Sequence, residues 1–184
     1  MTTKNYRLID TAGQLTAVVT QQVRSSQRPS LAQSIMASDQ RVEQVGYLND
    51  SQFTMMGGEL SINGLIAASY LLNQSGAING YNFSLNQSEI SLTLPSSLIL
   101  QITDNTVQLE GITYQIVTGL YKTKIISPPT KKILQALSID SCASGLIYSA
   151  GATIQPLVYV PTTNTYIWEN ACGSGSLAFS LVTG

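Results

Sequence analysis

A single cysteine, Cys172, stands directly before Gly173-Ser174-Gly175 and an apolar run that continues to Val182. Small residues leave backbone N–H groups open, so a helix beginning here presents its positive end to an anion. The same dipole favours a thiolate and is expected to lower the thiol pKa from its free value of about 8.5. The chemistry this predicts is a reactive sulfur beside a bound carboxylate. A matching stretch lies far upstream, Ser61-Ile62-Asn63-Gly64 and onward to Leu72. Gly64 and Gly175 each follow three positions after Ser61 and Cys172, and Ala67 and Ala178 each follow six. Two matched helix starts predict two related half-domains facing a shared cleft, with a hydroxyl at one start and a sulfur at the other. Plainer roles exist for both residues. A cysteine beside a Gly-rich turn is commonly a small buried hydrophobe, and a serine before a helix is an N-cap, which is compatible with facing a substrate.

The elements that must carry these residues follow from the pattern along the chain. Tyr6–Asp10 and Leu15–Thr20 read as strands around a turn at Thr11-Ala12-Gly13-Gln14. Pro29-Ser30 opens a helix over Leu31–Ala37. Glu43–Leu48 and Gln52–Met56 read as a hairpin turning at Asn49-Asp50. The helix from Ser61 to Leu72 is apolar or small all round, which predicts burial inside a wrapping sheet. The turn-rich stretch Asn73–Asn79 marks the expected lobe boundary, giving an N-terminal lobe at 1–75 and a C-terminal lobe at 76–184. Short strands are expected at Tyr81–Leu85, Glu89–Leu94, Leu98–Ile102, Thr106–Leu109, Ile112–Thr118 and Lys122–Ile126. A helix follows Pro128-Pro129 over Lys131–Leu137; then come strands at Gly145–Ser149, Pro156–Val160 and Tyr166–Trp168 and the helix Gly173–Val182. The fold class is α+β.

Composition narrows the function. The 184 residues are enough for one domain or two small lobes. Net charge is −1 and only 10% of residues are charged, which favours neither nucleic acid nor an anionic membrane and points toward self-association. There is no histidine, so imidazole bases and imidazole metal ligands are excluded. Two cysteines, Cys142 and Cys172, cannot build a zinc site alone. Cys142 has no basic neighbour and reads as a core residue. The first residues carry no apolar signal core, and no apolar run approaches the ~20 residues of a membrane span, so a cytoplasmic location is expected.

The stretches Pro156–Ser176 (PLVYVPTTNTYIWENACGSGS) and Val42–Gly64 (VEQVGYL, then MMGGELSING) resemble the diaminopimelate epimerase fold family of cofactor-independent amino-acid racemases. Within it they are most similar to the histidine racemases of staphylopine-type opine metallophore biosynthesis. The resemblance runs in order along nearly the whole chain, and the IWENACGSGS stretch carries most of its specificity. It implies two pseudo-symmetric lobes, each a curled sheet round a central helix, and no cofactor or metal. It implies Cys172 as one catalytic acid/base, with Ser61 in the place of the other thiol. The N–H groups of Ile62, Asn63, Gly173 and Ser174 would hold the substrate α-carboxylate, and Gln14 and Gln44 would line the pocket. Without the family, Gln14 is an ordinary turn residue and Gln44 a strand residue that could face solvent.

Three departures accompany it. Ser61 replaces a cysteine. Thr162-Thr163 stands where relatives often carry a carboxylate for the amino group. The chain stops at Gly184, where relatives continue with strands that close the second lobe, so a second chain completing that lobe, or a homodimer, is an expected partner. Glu59 reads as a first-turn carboxylate serving the helix dipole, or as an accessory group in the pocket; Glu169 reads as structural. Three functions follow. The first is an amino-acid racemase or epimerase weakened by Ser61, since a hydroxyl is too weak an acid to serve as a base near neutral pH. The second is a non-catalytic amino-acid-binding or assembly relative. The third is an isomerase of the same fold working from Glu59.

Overall fold

The computed structural model describes residues 5–86, 89–121 and 123–184. The chain divides into two compact units, Met1–Met56 with Ser61–Ser96, and Gly57–Leu60 with Ser97–Gly184. The change of unit at 96/97 thus lies beyond the turn-rich stretch 73–79, and that stretch itself forms a short strand. Each unit is an α+β assembly.

In the first unit, β1 (Tyr6–Thr11) and β2 (Gln14–Val19) form a hairpin. Its two turn residues, Ala12 and Gly13, both have positive φ (54° and 96°), the geometry that matches the twist of a tight hairpin. Helix α1 (Arg28–Ser38) then crosses to β3 (Gln44–Asn49), which pairs parallel to β2 and antiparallel to β4 (Gln52–Met55). The order in this sheet is β1-β2-β3-β4. A parallel pair needs a crossover, and the crossover helix covers one sheet face. The other face takes α2 (Ile62–Leu72), which also packs on the three-stranded sheet of β5 (Gly76–Ile78), β6 (Tyr81–Asn86) and β7 (Glu89–Leu92). With both faces covered, Gln44 to Leu48 of β3 are all buried. The burial expected all round α2 holds for its first turns but not its last, where Tyr70 is 54% exposed.

Asn79 ties the two sheets of this unit together. Its side-chain Oδ1 accepts the Phe53 N–H at 2.7 Å, and its Nδ2 donates to the Phe53 carbonyl at 2.7 Å. Both groups of Phe53 would otherwise be left on the edge of β4. Asn79→Ala is expected to destabilise the protein by about 1–3 kcal/mol in urea unfolding, because a part-buried donor and acceptor both lose their partners. An unfolding curve superposable on the parent's would refute this role.

In the second unit, β8 (Ile99–Ile102), β9 (Thr106–Leu109) and β10 (Ile112–Thr118) run antiparallel. Helix α3 (Pro128–Leu137) crosses to β11 (Ala143–Ala150), parallel to β10. β12 (Thr153–Val160) and β13 (Thr165–Trp168) complete an antiparallel edge, and α4 (Gly173–Thr183) follows. Alternation along β11 sorts the two helices. Leu146 and Tyr148 pack with Leu134 of α3, Leu157 and Tyr159, while Ile147 points at Gly175 of α4. β11 is therefore buried along six successive residues. The strand expected at Lys122–Ile126 does not form over Thr123–Ile126, and Lys122 lies outside the described residues.

Candidate functional site

Two polar clusters lie at the starts of α2 and α4, one in each unit. In the first, the backbone of Ser61 is extended (φ −124°, ψ 111°), and its Oγ accepts the N–H of Gly64 at 3.0 Å. The hydroxyl also donates to Gln44 Oε1 at 2.8 Å. Gln44 Nε2 donates to Thr16 Oγ1 at 2.6 Å and to Gln14 Oε1 at 3.2 Å, and Asn63 Nδ2 donates to the same Gln14 oxygen at 2.8 Å. The sheet register explains the meeting. Thr16 stands opposite Gln44, and Gln14 lies two residues before Thr16 on the same face, the face on which α2 packs. Gln14 and Gln44 are thus neither turn nor solvent-facing residues: they are 1% and 4% exposed. Gln14 Nε2 is buried with no hydrogen-bond partner. A buried amide donor left unpaired costs about 1–3 kcal/mol, so such a group is a natural place for a ligand acceptor.

The second cluster repeats the cap with sulfur. Cys172 has the same extended backbone (φ −141°, ψ 99°), and its Sγ accepts the Gly175 N–H at 3.2 Å. Gly175 has no room for a side chain, since a Cβ there would lie 2.9 Å from the sulfur. The Tyr114 hydroxyl, from β10, lies 3.4 Å from Cys172 Sγ and 2.8 Å from Ser174 Oγ. The N–H groups of Gly173 and Ser174 belong to the first turn, where no intrahelical acceptor exists.

The dipole does not decide the charge of this sulfur. Burial pushes the Cys172 thiol well above its ordinary value; the Glu169 carboxylate adds to the rise by its charge and by accepting a hydrogen bond from the thiol. Tyr114 and the Gly175 N–H oppose these effects and do not overcome them. The expected lowered pKa is therefore corrected: desolvation and a neighbouring carboxylate both disfavour a thiolate, and together they outweigh one helix end. Cys172 is a resting thiol, and Glu169 is coupled to it rather than structural alone. Beside Glu169, a cavity of about 210 Å³ is lined by Tyr121, Lys124, Gln155, Trp168 and Asn170 among others.

Glu59 is not in the first turn of α2, and that turn contains no acidic residue. It belongs to the second unit, is buried, and accepts the Gly57 N–H at 2.9 Å. Burial raises its carboxyl to about 7, against weaker opposition from its own and Gly57's N–H groups. Cys142, expected in the core, is exposed and unpaired with the other cysteine. Its place just before β11, ahead of the first buried residue Ala143, leaves it outside the packed sheet. Among the described residues no three histidine, cysteine, aspartate or glutamate side chains gather as a metal site, and no helix is long and apolar enough to cross a membrane.

The sequence does not single out Thr16, Tyr114 or the coupling of Glu169 to the thiol. Tyr114 sits in a strand of alternating burial, where a tyrosine reads as core, and its sulfur partner is 58 residues away.

No family model matches the chain. It is similar to a histidine racemase from Staphylococcus aureus (strain Mu50 / ATCC 700699), 21% identical over 207 residues, spanning 92% of this chain and 76% of that one. A solved phenazine biosynthesis protein of the PhzF family from Enterococcus faecalis aligns over 95% of this chain and 80% of its own, with a TM-score of 0.46 and 10% identity. A structure from Clostridium difficile (strain 630), assigned to phenazine biosynthesis PhzC/PhzF, aligns over 88% and 71%, with a TM-score of 0.44 and 9% identity.

Proposed function

We propose that the chain is built as a cofactor-independent amino-acid racemase or epimerase of histidine racemase type, with its two-base chemistry impaired by Ser61. The observation that carries the reading is the matched pair of caps, Ser61 on α2 and Cys172 on α4, each closed by the N–H three residues on. The likeness to a histidine racemase over 92% of the chain supports it. So does the shared order strand, strand, crossover helix, strand, strand and later a capped helix, with β2–β3 and β10–β11 as the parallel pairs and one added strand, β13, before α4, which we read as two pseudo-symmetric lobes.

Racemisation of this kind removes the Cα proton from one face and returns one to the other. Helix N-termini hold the substrate carboxylate and stabilise charge moving into it as the proton leaves. Each unit offers its own first-turn N–H groups for such a carboxylate, Ile62 and Asn63 at α2 and Gly173 and Ser174 at α4, and Gln14 Nε2 is an unpaired donor in the first. Cys172, a resting thiol, serves as the acid. The base must come from the position of Ser61, and a hydroxyl cannot ionise there near neutral pH.

The second reading, a non-catalytic amino-acid-binding relative, rests on that same hydroxyl. Calorimetry with L- and D-histidine beside deuterium wash-in at Cα separates the two. The racemase reading expects binding with little exchange in the chain as it stands, and loss of the residual exchange in Cys172→Ala. Binding without exchange that persists after Ser61→Cys selects the binding protein; no binding of any α-amino acid removes both.

A further inference from the structure

We propose that Tyr114 is a positioning residue for Cys172: its hydroxyl holds the sulfur by a hydrogen bond and stabilises the thiolate formed when the proton leaves. The proposal rests on the reading above only in taking Cys172 as a group that gives and takes a proton.

The geometry is specific. The Tyr114 side chain is 1% exposed, so no water competes for its hydroxyl. That hydroxyl has two partners, Cys172 Sγ at 3.4 Å and Ser174 Oγ at 2.8 Å. Sulfur and Ser174 Oγ are themselves 3.8 Å apart, so the three atoms form a closed cluster at the start of α4. The ring lies directly on Gly145 of β11, where a Cβ would overlap its edge atoms. Gly145 faces Tyr114 across the parallel pair β10–β11, and this register places the hydroxyl over the helix start. A sulfur that loses its proton in an apolar site needs donors already aimed at it. The two nearest are the Gly175 N–H at 3.2 Å and the Tyr114 O–H at 3.4 Å. The backbone donor comes with any helix cap. Of the two side-chain hydroxyls the phenol stands nearer the sulfur, at 3.4 Å against 3.8 Å for Ser174, and a Ser174 hydroxyl donating to the phenol oxygen strengthens it as a donor.

The test is the rate at which iodoacetamide alkylates Cys172, followed against pH in a Cys142→Ser background so that a single thiol reports. The attacking species is the thiolate: the S–C bond forms as iodide leaves. Tyr114→Phe keeps the ring on Gly145 and removes only the oxygen. It is expected to slow alkylation about tenfold at each pH below the thiol's midpoint, equivalent to raising that midpoint by about one pH unit. Looser packing would work in the opposite direction, by exposing a buried sulfur, so an equal or faster rate overturns the proposal. Should Tyr114→Phe fail to fold, Ser174→Ala decides, with a smaller slowing in the same sense expected and an unchanged rate refuting it. Alkylation does not depend on turnover. Slowed alkylation beside a Ser61→Cys protein that never exchanges Cα hydrogen leaves this role standing and removes the racemase reading; exchange in Ser61→Cys with unchanged alkylation in Tyr114→Phe does the reverse.

Discussion

Ser61→Cys is expected to raise Cα hydrogen exchange with histidine by on the order of a hundredfold, the lower end of what one well-placed acid/base group contributes. The gain should vanish when Cys172→Ala is added. The reasoning lies in acidity. An ordinary thiol ionises near pH 8.5, within reach of the effects that act at a helix start, whereas a serine hydroxyl does not ionise in that range. At this position the Gly64 N–H already points at the side-chain atom, at 3.0 Å, and would serve a thiolate. Ser61 is half-buried, so the desolvation that holds Cys172 protonated acts less strongly there. The pair would then be unlike by construction, one sulfur ionised at α2 and one protonated at α4, which is what transfer between opposite faces requires. A folded Ser61→Cys protein that exchanges Cα hydrogen of no amino acid would sink the reading.

Glu59→Gln is expected to make the protein more stable at pH 8 by up to about 3 kcal/mol and to leave stability below pH 4.5 unchanged. The Glu59 carboxyl is buried, with its ordinary value of 4.5 raised to about 7 in the folded chain. A tenfold change in a proton-binding constant corresponds to about 1.36 kcal/mol. Between these two values the unfolded chain has lost the proton while the folded chain keeps it. The folded state therefore binds more protons, and stability falls as pH rises through this window. Above about 7 the full penalty of a buried carboxylate remains, answered only by backbone N–H groups. Glutamine keeps an oxygen for the Gly57 N–H and removes the charge. Denaturant midpoints at pH 4 and pH 8 for both proteins check this; a parent protein whose stability does not decline between them refutes it. The same variant bears on the third function. Exchange lost in Glu59→Gln but kept in Cys172→Ala would move the base from sulfur to this carboxylate.

The sequence by itself determined most elements and both helix starts. β9 and β10 have the expected bounds, and α2 and α4 begin directly after Ser61 and Cys172. These are local signals: a capping side chain, glycine three residues on and an apolar run act within one or two turns of chain. β5 escaped because three residues amid turn signals carry no period to read.

The tertiary structure alone decided ionisation and partnership. Whether Cys172 is thiol or thiolate depends on burial, on Glu169 and on a tyrosine from β10, and burial is the larger effect. Cys142 reads as core yet is exposed, while Gln14 and Gln44 read as turn and strand surface yet are buried. Glu59 stands two residues before Ser61 in the chain but belongs to the other unit. Capping is settled by neighbours a few residues away. Desolvation and long-range hydrogen bonds are settled by strands and helices that only folding brings together, and they set the charge on the reacting atoms.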